Sequence, residues 1–80
     1  MREARYYYVP GLSDKLQLLN DHTDMGVKEI SRKLGCGESA WWSWRVGLTV
    51  PNGWYLRNIA IAFGVSVDWL LGLKQEEEER

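Results

Sequence analysis

Apolar residues recur at three- and four-residue spacing in successive segments of this chain, and polar or glycine-containing stretches separate the segments. This period places the apolar side chains on one face of a helix. The segments are 13–20, 27–34, 38–46, 54–63 and a short stretch after Ser66. Only the aromatic N-terminus has any strand character. The pattern therefore predicts an all-α domain of five helices.

The first helix is predicted from Ser13, a favourable N-cap residue, to about Asn20. Its buried stripe contains Leu12, Leu16 and Leu19, whereas Leu18 falls off that face. Residues 21–25 are expected to form a polar connector to the second helix.

The second and third helices are predicted to lie on either side of a glycine turn. Val27, Ile30 and Leu34 share one face of the second helix, and Gly35 follows it where a left-handed cap favours glycine. In the third helix the pattern places Ala40, Trp41 and Trp44 inward. It places four residues outward: Ser39, Trp42, Ser43 and Val46. Two short helices around one tight turn are typical of a helix-turn-helix.

The last two helices carry clear boundary signals. Asn52 is expected to cap the fourth helix, and Gly64 to end it. Ser66 is expected to cap the fifth helix, with Val65 contacting Leu70 across the cap. The fourth helix is expected to bury four side chains: Leu56, Ile59, Ala60 and Phe63.

Several short motifs occur in an order that resembles one known family. They are LSDKLQLL at 12–19, KLG at 33–35, WRVG at 44–47, Pro51, and GVSVDWLLG at 64–72. This ordered set is similar to the Cro and lambda-repressor-like, or XRE-type, helix-turn-helix family. The resemblance implies a compact five-helix lambda-repressor-like DNA-binding domain at 12–73, between an N-terminal arm at 1–11 and an acidic tail at 74–80. It also implies a sequence-specific, repressor-like transcriptional regulator that binds double-stranded DNA as a homodimer.

Residues on both central helices are candidates for DNA contacts. The N-terminus of the second helix, at Val27 and Lys28, would rest on a phosphate, with Arg32 adding positive charge. The family's base-reading positions fall on Glu38, Ser39, Trp42 and Ser43. Val27 stands where the family often has glutamine, and Leu48 where it often has a polar loop residue. The reading face has no arginine or glutamine for a bidentate base contact.

Three of these candidates have open alternatives. Trp42 either contacts a thymine methyl, a sugar or a protein partner, or folds onto the neighbouring helix as part of the core. Glu38 either accepts a hydrogen bond from cytosine or simply favours the helix N-terminus as an acid. Arg45 flanks the reading face and either reaches a phosphate or is a solvated surface charge.

Further apolar residues lie off the predicted buried stripes. These are Trp54, Ile61, Trp69 and Leu73. They either form a homodimer interface or complete a small core. A second functional hypothesis follows from the aromatic reading face: a helix-turn-helix fold that serves as a protein-protein interaction module without specific DNA binding.

Charge and composition limit the remaining possibilities. The net charge of −1 comes from the last five residues, whose net of −3 leaves +2 for residues 1–75. The acidic end is interpreted as solvated, and no run reaches the roughly 18 apolar residues of a membrane span. With no apolar leader segment, a cytoplasmic location is expected. In the arm, Arg2 and Arg5 either follow DNA or accompany tyrosines that cover a core edge.

Candidate chemistry is sparse. Cys36 is either a thiol with a pKa lowered by a helix dipole, and so a redox sensor, or a buried structural residue. His22 has no second ligand at metal spacing, so no metal is expected. The sequence has no phosphate-binding glycine loop and no catalytic pair. We therefore expect no enzymatic activity, no cofactor and no small-molecule substrate.

Overall fold

A computed structural model of the chain describes residues 9–73. Within that range the chain forms five helices and no strand, which confirms the all-α prediction. The helices are α1 at Leu12–His22, α2 at Val27–Leu34, α3 at Glu38–Val46, α4 at Gly53–Phe63 and α5 at Val67–Leu70. The predictions for the tyrosine-rich arm and the acidic tail concern residues 1–8 and 74–80, which lie outside the described residues.

The core is formed by one face of every helix. α1 packs mainly on α3, α2 packs on α4, and α5 lies against both α4 and α1. Trp41 is central, since its ring stacks on Phe63 at 5.9 Å and meets Trp44 edge-on at 6.4 Å between centroids. The buried apolar residues are Leu12, Leu16, Ile30, Leu34, Trp41, Trp44, Leu56, Ile59 and Leu70.

Some side chains that were predicted inward lie at the margin of this core. They are half-buried and pack against it: Leu19, Ala40, Ala60 and Phe63. Their helical faces were predicted correctly, but a domain of this size has little interior in which to enclose them completely.

The turn between α2 and α3 has the predicted glycine geometry. Gly35 has φ 76°, in the left-handed region, and its N–H donates to the Ser31 carbonyl at 2.9 Å. Cys36 N–H donates to the same carbonyl at 3.1 Å. A glycine at this position closes α2 and lets the chain enter α3 after only three residues.

Both side-chain caps predicted for the last two helices are present. Asn52 Oδ1 accepts from Tyr55 N–H at 3.1 Å, and Ser66 Oγ accepts from Trp69 N–H at 3.0 Å. α4 begins one residue earlier than predicted, at Gly53, and ends at Gly64 as expected.

The predicted bounds of α1 are wrong at both ends. The helix begins at Leu12 with Gly11 as N-cap, so Ser13 does not cap it. It begins earlier because the Gly11 carbonyl already accepts from Lys15 N–H at 3.1 Å. It continues to His22, through residues predicted as a connector, and Gln17 Nε2 donates to Asp21 Oδ1 at 2.7 Å across the last turns. Such a pair stabilises a helix end.

The surroundings of α5 differ from the prediction. The helix ends at Leu70, and Leu73 lies beyond it. Trp69 was expected off the buried stripe but is half-buried and packs against the core. The reason is α1, whose Lys15 Nζ lies 5.3 Å from the Trp69 ring centroid and donates to the Trp69 carbonyl at 2.7 Å.

Candidate nucleic-acid interface

The start of α2 presents backbone N–H groups without helical acceptors. The first backbone bond in this helix runs from Ile30 N–H to the Gly26 carbonyl at 2.9 Å, so the N–H groups of residues 27–29 precede it. The N-cap residue, Gly26, has no side chain that could cap these groups. Free N–H groups and the positive end of the helix dipole favour an anion, and the exposed Lys28 adds a full charge. Val27 is half-buried against the core, so its contribution to this site is its backbone N–H.

The other end of α2 is held by α4. Asn58 Nδ2 donates to the Leu34 carbonyl at 3.0 Å, and Tyr55 Oη donates to the Gly35 carbonyl at 3.4 Å. Ser31 is buried and donates to the Val27 carbonyl at 2.7 Å within the helix. The sequence interpretation missed these roles, because nothing near Asn58 or Tyr55 in the sequence indicates the helix that they cap.

The outward face of α3 is accessible. Glu38 and Ser39 are exposed, Trp42 is 49% exposed and Ser43 is half-buried. Because about half of its surface is exposed, Trp42 is not part of the core, which excludes that sequence interpretation. Trp41 and Trp44 of the same helix are 0% and 6% exposed, as predicted.

A polar contact set on α1 holds α3 in place. Trp41 Nε1 donates to Asn20 Oδ1 at 3.0 Å, and Arg45 Nη1 donates to Gln17 Oε1 at 3.2 Å. Asn20 and Gln17 were not predicted to have this role. Because these contacts lie on the side of α3 that faces α1, they set which residues of α3 point outward.

Arg45 is not the solvated surface charge that one of the two sequence interpretations expected. It is half-buried, and its guanidinium carbon is 5.8 Å from the Trp41 ring centroid. Its Nε is buried and has no hydrogen-bond partner among residues 9–73. Arg45 therefore packs α3 onto α1 and is not a solvated surface charge, and its contact with a phosphate stays a prediction.

The charges around α2 and α3 are mixed, with bases in excess. On α2, Lys28, Arg32 and Lys33 are exposed, against the exposed Glu29. Glu38 adds an acid at the start of α3. The positive charge is thus concentrated on α2 rather than on the outward face of α3.

Other large apolar side chains are exposed on α4 and after α5. Ile61 is 65% and Trp54 57% exposed, and Leu73 after α5 is 73% exposed. Trp54 also covers the α2–α3 turn, since a Cβ built at Gly35 would lie 3.2 Å from its Cη2 atom. Ile61 lines a groove of about 390 Å³ between α2 and α4. The four candidates of the sequence interpretation therefore divide into these three exposed residues and the half-buried Trp69.

Cys36 and His22 are the two residues whose redox or metal chemistry was considered from the sequence. Burial raises the pKa of the Cys36 thiol, and a backbone hydrogen bond from Trp41 opposes that effect only in part. This direction is opposite to the lowered pKa on which the redox interpretation depended, and it favours the structural interpretation of Cys36. His22 is exposed at the end of α1. Within residues 9–73 no three His, Cys, Asp or Glu side chains are grouped to hold a metal, and no helix is long and apolar enough to cross a bilayer.

The described residues thus define an all-helical domain of five helices with an exposed α2–α3 face. No protein-family model, curated protein sequence or solved structure matches this chain. Any assignment of function therefore rests on the geometry and chemistry of the chain's own residues.

Proposed function

We propose that this protein is a sequence-specific DNA-binding regulator of the lambda-repressor-like helix-turn-helix type. The observation that carries the proposal is the uncapped, basic N-terminus of α2 beside the exposed outward face of α3. A turn of only three residues joins the two helices, so a ligand that contacts one is within reach of the other.

The dimensions and charges of DNA suit this pair of helices. The major groove is about 12 Å wide and accepts a helix of about 10–12 Å diameter. With α3 in the groove, the N–H groups at the start of α2 meet a phosphate, and Lys28 and Arg32 supply positive charge. Ser39, Trp42 and Ser43 then face the base edges.

A homodimer is the proposed functional state. Ile61 and Leu73 are large apolar side chains that the described part of the fold leaves exposed, and Trp54 is exposed over more than half of its surface. Burial of such residues between two copies favours association. A two-fold dimer would place two α3 helices in successive major-groove faces, about 34–36 Å apart, and so read a palindromic site. A regulator bound in this way blocks or recruits polymerase.

The proposal is tested by selection from random duplexes, followed by affinity measurements at increasing salt. We expect an enriched sequence, and an affinity that falls steeply with salt because phosphate-bound counterions are released. Lys28→Ala should weaken binding to all duplexes alike and reduce the salt slope by about one. Ser43→Ala should instead change the preference among sites, by about 1 kcal/mol.

Arg57→Ala is the matched control for Lys28→Ala. Arg57 is an exposed base on α4 that, among residues 9–73, donates only to its neighbour Asn58, at 2.9 Å. Its removal should leave the salt slope unchanged. Equal slopes for the two variants would contradict the placement of α2 on a phosphate.

A second function is favoured by one observation. The exposed face of α3 and the loop after it carry Trp42, Val46 and Leu48, which are 49%, 48% and 66% exposed, without an arginine or glutamine that could read a base. Such a surface also suits a protein-protein interaction module. Selection that enriches no sequence, with equally weak binding to every duplex, would support this alternative.

A further inference from the structure

Three residues spaced three and four apart form a row along the outward face of α3. We call Ser39, Trp42 and Val46 the outer row, because all three are exposed and share one side of the helix. Trp42 and Val46 are each about half exposed, at 49% and 48%. The outer row is therefore apolar at two of its three positions.

The chemistry of the major groove limits what an apolar row can recognise. Base edges there present hydrogen-bond donors and acceptors, and the apolar group among them is the C5-methyl of thymine. Val46 has no polar side-chain atom, and the Ser39 hydroxyl bonds either kind of base. The outer row itself therefore discriminates among bases mainly by apolar contact.

We infer that the outer row selects DNA sites by contacting thymine methyl groups with Trp42 and Val46. The inference rests on the proposed function and adds the chemical feature that is read. DNA is the occupant that the neighbouring charges favour, since the free N–H groups of α2 and the exposed Lys28 complement phosphates on the strand beside the groove. The preferred sites therefore contain thymine at the positions facing α3.

The test replaces thymine by uracil, which removes only the C5-methyl and leaves the base-pairing groups unchanged. Duplexes are made from the sequence enriched by selection, with one uracil at a time. Uracil at positions facing α3 should weaken binding about two- to fourfold for each methyl lost, the scale of one buried methyl group. Uracil outside the sequence that the protein binds should have no effect on affinity.

Variants connect this effect to the outer row. In Trp42→Ser the penalty for uracil should shrink towards onefold at the position that Trp42 contacts, while the salt dependence of binding remains. Val46→Ala should reduce the penalty at a different position. Leu18→Ser is the matched control, since Leu18 is 47% exposed on α1, outside the proposed interface, and its removal should leave every uracil penalty unchanged. Thermal unfolding checks that each variant is folded.

The outcomes separate the inference from the function on which it rests. If salt-dependent, sequence-selective binding is found but uracil binds as well as thymine at every position, methyl recognition is refuted and the regulator proposal survives. If uracil does weaken binding but Trp42→Ser and Val46→Ala both keep the full penalty, methyl recognition by the outer row is refuted and the regulator proposal again survives. If no duplex is selected at all, the proposed function itself fails.

Discussion

Trp41 and Trp42 are neighbours in sequence but have opposite environments. The helical period turns Trp41 into the core, where its ring is 0% exposed against Phe63 and Trp44, and leaves Trp42 at 49%. A residue of one type can therefore be enclosed in the core at one position and exposed at the surface at the next.

The free energy of unfolding should separate these two tryptophans. Trp41→Ala is expected to lose about 3–5 kcal/mol, because it removes a large buried ring and leaves a cavity. Trp42→Ala is expected to change stability by no more than about 0.5 kcal/mol, as at ordinary surface sites. Urea unfolding of both variants at one protein concentration measures the difference. A loss of several kcal/mol for Trp42→Ala would show that its ring is part of the core.

The hydrogen bond from Trp41 to Asn20 should make a measurable contribution to the free energy of unfolding. Asn20→Ala leaves the indole N–H without its acceptor, which is expected to cost about 1–3 kcal/mol. In a Trp41→Phe background the same change should cost much less, since phenylalanine has no N–H to satisfy. Asp21→Ala is the control: it removes an exposed bond with Gln17, worth only a few tenths of a kcal/mol. Equal effects of Asn20→Ala in both backgrounds would mean that the bond contributes nothing.

At the scale of elements, the α2–α3 turn sets the relation between the two proposed contact surfaces. α2 ends at a left-handed glycine, and side chains of α4 satisfy its last carbonyls. Trp54 of α4 then covers the outside of the turn. The geometry of the helix pair therefore depends on local backbone freedom and on packing against a third helix.

Substitution of two glycines should separate these contributions. Gly35 and Gly64 have similar left-handed φ values, 76° and 71°, so alanine at either is expected to cost about 1–2 kcal/mol. A Cβ at Gly35 would also lie 3.2 Å from Trp54 Cη2, whereas one at Gly64 meets no atom within 4 Å. Gly35→Ala should therefore cost more than Gly64→Ala in urea unfolding at one protein concentration.

The excess cost of Gly35→Ala should disappear in a Trp54→Ala background, because the crowded ring atom is then absent. Gly64→Ala should cost the same in both backgrounds. If the excess persists without the Trp54 ring, the cost at Gly35 arises from the backbone alone.

At the scale of the whole molecule, the exposed apolar residues predict association of two copies. The chain should sediment as a dimer at micromolar concentration, and Ile61→Ser should shift it towards monomer without unfolding it, because Ile61 is 65% exposed. Trp69→Ala should weaken folding and association together, since its ring also packs beneath Lys15 of α1. Leu18→Ser, on α1, is the control and should remain dimeric. A monomer at every concentration up to hundreds of micromolar would contradict the dimer proposal.

The sequence by itself determined the number of helices, most of their bounds and the direction in which most side chains face. These features depend on interactions within one or two helical turns: the apolar period, the caps at Asn52 and Ser66, and glycine after α2 and α4. The opposite orientations of Trp41 and Trp42 follow from the same period. Local interactions of this kind can be inferred from residues that are close together in the sequence.

Only the tertiary structure decided which side chains hold the helices together. Arg45 meets Gln17 across 28 residues, Asn58 caps α2 across 24, and Lys15 reaches Trp69 across 54. No local pattern indicates such partners, because they are set by how helices far apart in the chain pack around one core. For the same reason Arg45 and Trp69 were assigned to the surface by their positions on isolated helices, and became half-buried only when α1 packed against them.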